Sequence, residues 1–283
     1  MSNNTKERID EMLRVNEGQK KYYEVANGVY GSKENSFATN LWRNFRRRML
    51  GTIESVDIVP ALNQRQRDWV GDISDKKVLD LGVGGGNPLS LEFARNAREY
   101  VAIDLSQARV KSFSEKLAIE GIVGAKAVAV DFLSDSFEEV DFDVVYAMSV
   151  MHHFKHVDAF LQVLHRRTAP GAIVLTLDPL QTWLPARLIR AMYRPFQTDK
   201  AWEFPFSRET LQTIRKYFEI KHVQGLYSLS KWAAPLSLLS KDLGLRKVQE
   251  WHQRDWEHAR TLDASQACLR VAFALERKDR VDA

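Results

Sequence analysis

The sequence predicts an α/β fold in which a mostly parallel sheet carries helices on both faces. Between residues 76 and 178, short apolar runs alternate with amphipathic segments of about a dozen residues. This alternation is typical of parallel sheets, because each return to the same sheet edge needs a crossover. Right-handed crossovers bring the carboxyl ends of the parallel strands to one edge, where ligands bind in such sheets.

The expected elements follow the chain in order. Periodicity predicts amphipathic helices over residues 5–25 and 38–50, ahead of the sheet. Seven strands are expected at 76–82, 99–106, 125–130, 142–150, 171–179, 219–229 and 267–278. Further helices are expected at 89–97, 107–121, 156–168 and 207–218, with one or two more within 230–260. The last strand is expected to be antiparallel, at or near an edge of the sheet.

Composition excludes several classes of protein. Of the 283 residues, 45% are hydrophobic and 28% are charged, which indicates a globular chain and not a disordered one. No apolar stretch approaches the ~20 residues of a membrane span, and the opening MSNNTKERIDEMLRV is polar where a signal peptide is apolar. The single cysteine, Cys268, excludes an internal disulfide framework. A cytoplasmic protein is therefore expected.

Charge is unevenly spread along the chain. Residues 76–178 carry 11 Lys/Arg and 14 Asp/Glu, a net charge of −3. Residues 180–260 carry 14 Lys/Arg and 8 Asp/Glu, a net charge of +6. The same later segment holds Trp183, Trp202, Trp232, Trp251 and Trp256, five of the seven tryptophans. A neutral middle is thus followed by a basic, aromatic part.

The stretch VLDLGVGGGNPL at residues 78–89 places four glycines directly after a buried strand. Glycines there let the backbone turn tightly and approach a ligand, and the helix that begins near Pro88 would favour negative charge. No Gly-Lys-Ser/Thr follows, so a phosphate-binding P-loop is excluded. The dinucleotide fingerprint G-x-G-x-x-G also fails, because Asn87 or Leu89 stands at its third glycine. What remains is D-x-G-x-G-x-G, formed by Asp80, Gly82, Gly84 and Gly86.

This pattern resembles motif I of the class I S-adenosylmethionine-dependent methyltransferases, and the resemblance continues over about residues 76–178. Asp104 ends the second strand 24 residues after Asp80. In that family such an acid accepts hydrogen bonds from the ribose hydroxyls of the cofactor. Asp131 ends the third strand, where the family has an acid that meets the adenine amino group, and Phe132 would pack near the ring. Ala172 replaces a family glycine before strand five, which is a mild departure.

The resemblance implies S-adenosylmethionine as the cofactor, whose positive sulfonium and amino groups suit carboxylates. It also implies a seven-stranded Rossmann-like sheet and three parts of the chain. These are an N-terminal helical lid at 1–75, a cofactor-binding core at 76–178, and an acceptor cap that completes the sheet at 179–283. The predicted cofactor contacts are Asp80, Gly82, Gly84, Gly86, Asp104, Leu105, Asp131, Phe132, Met148, Tyr22 and Tyr23, the two tyrosines from the lid.

Three histidines, His152, His153 and His156, follow the fourth strand. His153 best matches a histidine of the family's small-molecule branch, and it could take a proton from an acceptor hydroxyl because its pKa lies near neutrality. His152 is the second choice as base. The alternative is that the histidine only orients the turn, since methyl transfer can run on positioning. H-H-x-x-H could also bind a metal, but no matching carboxylate set is visible and no metal is expected.

The turn AMSVMHH differs from the D/N-P-P-Y/F of many enzymes that methylate nucleic-acid bases. A nucleic-acid acceptor is therefore not expected, despite a pI of about 9.0. Aromatic and apolar residues interleave with arginines between 179 and 206, which suits a small aromatic or amphiphilic metabolite as acceptor. The expected reaction is methylation of such a metabolite on oxygen. The same residues could instead form the core of the cap.

Other functions stay open at this stage. One is C- or N-methylation of a quinone-like or lipid-linked acceptor, with peripheral membrane contact. A nicotinamide oxidoreductase is a rival enzyme, against which the missing fingerprint glycine argues. A non-catalytic protein that binds S-adenosylmethionine is the rival from another class. The acceptor, the methylated atom and the oligomeric state are not predicted by the sequence.

Overall fold

The computed structural model describes residues 3–25, 40, 44, 47, 51–196 and 200–281. The strands are β1 Lys77–Leu81, β2 Glu99–Asp104, β3 Lys126–Ala129, β4 Phe142–Met148, β5 Thr168–Pro179, β6 Phe218–Leu226 and β7 Arg270–Arg277. The helices are α1 Asn3–Val25, α2 Val59–Val70, α3 Pro88–Asn96, α4 Gln107–Ile119, α5 Val157–Arg167, α6 Leu184–Tyr193, α7 Arg208–Tyr217, α8 Ala233–Leu239, α9 Lys241–His258 and α10 Leu262–Ser265. Short 3-10 turns lie at Met151–His153, Arg194–Phe196 and Ser230–Trp232.

The seven strands form one sheet in the order β3-β2-β1-β4-β5-β7-β6. Strands β1 to β5 pair in parallel, and β7 is antiparallel to both β5 and β6. This topology confirms the predicted α/β fold with its antiparallel last strand. Strand β7 lies between β5 and β6, one strand in from the edge. Its central residues are accordingly buried, whereas several residues of the edge strand β6 are exposed.

Both faces of the sheet are covered by helices and apolar side chains. Along β1, Val78 and Leu79 belong to different core clusters, and Val144 and Val145 divide in the same way on β4. Successive side chains of a strand point to opposite faces, so a strand covered on both faces is apolar at every position. This arrangement explains why the strands appear in the sequence as unbroken apolar runs.

Three helices of the structure, α2, α6 and the short α10, were not predicted. The buried residues of α2 are Leu62, Asn63 and Gln66, so its inner face is mostly polar and shows no apolar period. Helix α6 has an apolar period in the sequence that was not used, and in the structure most of its large apolar residues are exposed. The helix predicted at 38–50 lies outside the described residues, apart from residues 40, 44 and 47. Across the described ranges, every helix is either too short or too polar for a membrane crossing.

Candidate active site

The glycine loop after β1 is held by close packing. Gly82, Gly84 and Gly86 have φ angles of 70°, 58° and 71°, a region that side chains other than glycine rarely adopt. A Cβ at Gly82 would lie 2.5 Å from a methyl of Val150, and one at Gly86 would lie 2.2 Å from the ring of Phe113. The motif therefore meets two demands, a left-handed backbone and tight contact with neighbouring elements.

The helix after the loop does not offer its first N–H groups to an anion as expected. The Asn87 side chain accepts hydrogen bonds from the N–H groups of Leu89 and Ser90, at 2.9 and 3.1 Å. Asn87 is thus an N-cap, and these two donors are used within the chain. The start of α3 holds the loop in place instead of providing a binding group.

A cavity of about 400 Å³ lies at the carboxyl edge of the sheet. Its lining includes ten of the predicted site residues, namely Tyr22, Tyr23, Gly82, Asp104, Leu105, Asp131, Phe132, Met148, His152 and His153. Asp80, Gly84 and Gly86 are outside this lining. The volume is within the ~300–1,000 Å³ range of small-molecule sites. The structure therefore brings most of the predicted site together in one place.

The motif acid Asp80 lies behind the loop in the core. It is 2% exposed and accepts a hydrogen bond of 2.7 Å from the Tyr100 hydroxyl. Burial raises the pKa of Asp80 to about 6, against the opposing hydrogen bond from Tyr100. Its contacts are those of a residue that supports the strand end, and contact with a ligand stays a prediction.

The acids that follow β2 and β3 both line the cavity. The carboxylate of Asp104 accepts hydrogen bonds from the N–H groups of Gly84 and Ser106, each at 2.9 Å. The carboxylate of Asp131 accepts from the Leu133 N–H at 2.9 Å and from the Asn16 amide at 2.8 Å. Burial raises the pKa of Asp131, although those two hydrogen bonds oppose the shift. Each carboxylate is thus oriented by the protein and keeps capacity to accept further hydrogen bonds.

Helix α1 covers this edge of the sheet. Asn16 and Gln19 line the cavity beside the predicted tyrosines. The guanidinium of Arg109 lies 4.1 Å from the ring centroid of Tyr23, and the ring of Tyr22 contacts that of Trp202 edge to face. Lower on the helix, the Glu11 carboxylate pairs with Lys155 at 2.6 Å and with His156 at 2.7 Å. The sequence analysis missed Asn16, Gln19 and Arg109, because no local pattern marks them.

His152 lies between two carboxylates at the other end of the cavity. Its Nδ1 is 2.7 Å from Asp178 and its Nε2 is 3.5 Å from Glu203. Burial alone would lower the pKa of His152, but the hydrogen bonds to Asp178 and Glu203 outweigh it and raise the pKa to about 9. His152 is therefore an imidazolium at neutral pH, with both ring nitrogens facing acids.

His153 has a different environment on the same turn. Its Nδ1 is 2.8 Å from the carbonyl oxygen of Trp202, so Nδ1 carries the proton and donates it. The lone pair then resides on Nε2. Burial, together with the charge of His152, lowers the pKa of His153, which is neutral at pH 7 and able to accept a proton.

Three groups at this end were not predicted. Glu203 comes from the segment between β5 and α7 and lines the cavity. Asp178 is buried near the end of β5, and it is a fourth acid at a strand end that could have been noticed in the sequence. Ser149 lines the cavity with a φ of 59° and accepts a hydrogen bond from Arg270. Glu203 supplies the carboxylate that the histidine motif lacks, and with His152 and His153 it offers ligand atoms within 4.8 Å of one another, close enough to hold a metal ion.

Comparison with known families agrees with this geometry. Residues 36–226, more than half of the chain, match the family model described as a methyltransferase domain. The chain therefore belongs to the methyltransferase family, and the resemblance to the class I S-adenosylmethionine-dependent enzymes is confirmed.

Similar proteins include enzymes of quinone biosynthesis. The chain is 32% identical over 139 residues to a ubiquinone biosynthesis O-methyltransferase of Caulobacter sp., covering 47% of this chain and 54% of that one. It is 29% identical over 120 residues to a ubiquinone/menaquinone biosynthesis C-methyltransferase of Burkholderia cenocepacia, covering 41% and 49%. The chain thus spans about half the length of the curated relatives it matches.

Among solved structures, the fold is similar to that of the geranyl diphosphate C-methyltransferase of Streptomyces coelicolor. The two share 13% identity with a TM-score of 0.57, over 93% of this chain and 98% of that one. That structure was solved with Mg²⁺, geranyl diphosphate and S-adenosyl-L-homocysteine. At this identity the likeness shows the fold alone.

Proposed function

We propose that this protein transfers a methyl group from S-adenosylmethionine to an oxygen of a small aromatic or amphiphilic metabolite. The observation that carries the proposal is a single cavity with the acids of β2 and β3 at one end and His153 at the other. The predicted division into a lid at 1–75, a core at 76–178 and a cap at 179–283 is part of this proposal.

The residues of the cofactor end fit S-adenosylmethionine. Asp104 and Asp131 would accept hydrogen bonds from the ribose hydroxyls and the adenine amino group, and Phe132 would pack on the ring. Gly82 lets the loop pack against Val150, which also lines the cavity, because a Cβ there would displace Val150. S-adenosylmethionine supplies the methyl group as an electrophile on its positively charged sulfur.

At the acceptor end the two histidines have separate roles. His153 holds the lone pair of Nε2 toward a proton of the acceptor hydroxyl, because its Nδ1–H is fixed by Trp202. His152 stays protonated between Asp178 and Glu203, which holds its ring beside that of His153. The cavity walls position the acceptor and exclude water, which accounts for a large part of the rate.

The acceptor class rests on the lining and on the relatives. Phe132, Val150 and Phe154 give the cavity apolar walls beside its polar groups. Because the relatives include O- and C-methyltransferases of quinone biosynthesis, C-methylation of a quinone-like or lipid-linked acceptor is the second candidate; N-methylation has no comparable support. A cytoplasmic location and the exclusion of nucleic acid as acceptor stay predictions.

The test is methyl transfer from S-[methyl-³H]adenosylmethionine to a panel of phenols, catechols and prenylated quinols. Labelled product whose formation depends on the wild-type His153 would support the proposal. The matched control is His156→Asn, since His156 binds Glu11 and is outside the cavity lining. Cofactor binding without labelled product on any acceptor would favour the non-catalytic alternative.

A further inference from the structure

Helix α6 turns its large apolar side chains away from the rest of the molecule. Leu184, Leu188 and Met192, spaced four residues apart, are 61%, 58% and 76% exposed, and Ile189 beside them is also exposed. Among the α6 side chains that the structure describes, Ala186 alone is buried. A surface helix normally points its apolar stripe inward, so an outward stripe of this size indicates a surface that something else covers.

The charged residues of α6 and of the turn that follows it have one sign. Residues 184–196 contain three arginines and no acid. Arg187 and Arg194 are exposed, and Arg190 is half-buried. A helix with an apolar stripe and arginines beside it is typical of segments that lie in the interface of an anionic membrane.

Aromatic residues extend the apolar surface at the start of the helix. Trp183, which precedes α6, contacts Trp232 edge to face with ring centroids 5.5 Å apart, and Trp232 is half exposed. The Lys231 ammonium lies 3.8 Å from the Trp183 ring centroid. Indole rings prefer boundaries between water and an apolar phase, because one edge is polar and the body is apolar. The exposed Leu238 and Leu239 follow on α8.

The stripe belongs to the same segment that completes the cavity. Glu203, in the stretch between α6 and α7, lines the cavity, and the Phe204 N–H donates to the His152 carbonyl at 2.8 Å. The apolar helix and the Glu203 side of the acceptor end are therefore parts of one segment after β5.

We propose that α6 binds an anionic lipid surface, with Leu184, Leu188 and Met192 among the headgroups and acyl chains and the arginines at the level of the phosphates. Binding of this kind combines buried apolar area with attraction between arginines and anionic lipids. The inference is independent of the methyl-transfer reaction, since it concerns a surface outside the cavity and is tested without an acceptor.

The test is co-sedimentation of the full chain with large unilamellar vesicles of phosphatidylcholine, alone or mixed with phosphatidylglycerol. The wild-type protein should bind the mixed vesicles, bind the neutral ones less, and dissociate at high salt. The double variant Leu188→Gln/Met192→Gln should lower the partition coefficient by about tenfold or more, because the favourable free energy of moving two apolar side chains from water into lipid is lost. Arg187→Gln should weaken binding to the mixed vesicles only.

The matched control is Ile119→Gln/Val123→Gln. These two apolar residues are 83% and 94% exposed, at the amino-terminal edge of the sheet before β3. Equal losses for both double variants, or no binding of the wild type to mixed vesicles, would overturn the proposal. Gel filtration adds a second readout, since a wild-type dimer that the α6 variant turns into a monomer would assign the stripe to a second copy. Unchanged affinity for S-adenosylhomocysteine in the α6 variant would show that the cavity is intact.

Discussion

The two ends of the cavity are built in different ways. The cofactor end uses residues at the ends of β1, β2 and β3, each placed by a motif that is continuous in the sequence. The acceptor end depends on distant partners, since His152 binds Asp178, 26 residues away, and His153 binds Trp202, 49 residues away. The comparison teaches that the proposed cofactor end depends mainly on strand-end motifs, with one distant contact from Asn16 to Asp131. At the acceptor end, distant partners set the protonation of both histidines.

The largest effect is expected at the acceptor end, for His153→Asn. A general base contributes typically ~10²–10⁴-fold, so turnover should fall by about that factor while cofactor affinity stays the same. In the wild type the rate should rise with pH below 6.5 and level off near neutrality, because the pKa of His153 is lowered and its neutral form is the base. Steady-state kinetics across pH measures both effects.

The His153→Asn variant should lack this pH dependence. That result would distinguish a general base from a residue that only holds the turn in place. The His156→Asn protein serves as the control and should keep the wild-type profile. Wild-type turnover in His153→Asn would mean that positioning alone carries the reaction. Loss of activity that added divalent metal restores would instead assign His152, His153 and Glu203 to a metal site.

The second effect concerns stability at the same end. The folded pKa of His152 is about 9 and its unperturbed value is 6.5, so the stabilisation is complete below pH 6.5 and is lost as pH rises through 9. Each pKa unit corresponds to about 1.4 kcal/mol, which makes the loss a few kcal/mol. Urea unfolding at pH 6.5 and above pH 9 should show a drop in the free energy of unfolding that His152→Asn lacks. An equal drop in both proteins would remove His152 as its cause.

At the cofactor end, Asp104→Asn should weaken binding of S-adenosylhomocysteine by about 1–3 kcal/mol, because hydrogen bonds to a charged acceptor are lost. Asp80→Asn provides the comparison within the same motif, since Asp80 binds Tyr100 and is outside the cavity lining. It should change affinity less than Asp104→Asn. Equilibrium dialysis measures both, and equal losses would mean that the motif acid itself contacts the ligand.

The smallest effect is expected within the glycine loop. In Gly84→Ala the new Cβ meets no close neighbour, since the nearest atom, Arg109 Nη1, would be 3.7 Å away. The loss in the free energy of unfolding should therefore come from the left-handed backbone alone and be about 1 kcal/mol. Gly86→Ala should destabilise the protein more, because the ring of Phe113 must also move. Thermal unfolding of the two variants gives the order, and an equal loss would show that packing at Gly86 relaxes freely.

Most of the fold could be predicted because it follows from local patterns in the sequence. The unbroken apolar strands follow from a sheet that is covered on both faces, and the acids at the ends of β2 and β3 mark its ligand edge. Helix α2 escaped prediction because Asn63 and Gln66 face inward, so the helical period is not apolar. Helix α6 does show a helical apolar period at Leu184, Leu188 and Met192, so it could have been predicted; what the sequence hides is that this stripe faces outward.

The residues of the candidate site could be predicted where they belong to local sequence motifs. Asp104, Asp131 and Gly82 follow from strand ends and a glycine motif, and they line the cavity. Glu203 could not be found, because nothing in its local sequence shows that the segment after β5 folds back onto His152. The protonation states of the two histidines were equally hidden, since Asp178 and Trp202 decide them and neither is adjacent in sequence.

The central claim is that the β1–β3 end of the cavity binds S-adenosylmethionine. Titration calorimetry of the wild-type protein with S-adenosylhomocysteine, and separately with NADH, tests it most directly. The account predicts one binding site per chain for S-adenosylhomocysteine and no heat of binding for NADH. Binding of NADH alone, or of neither compound, would contradict it.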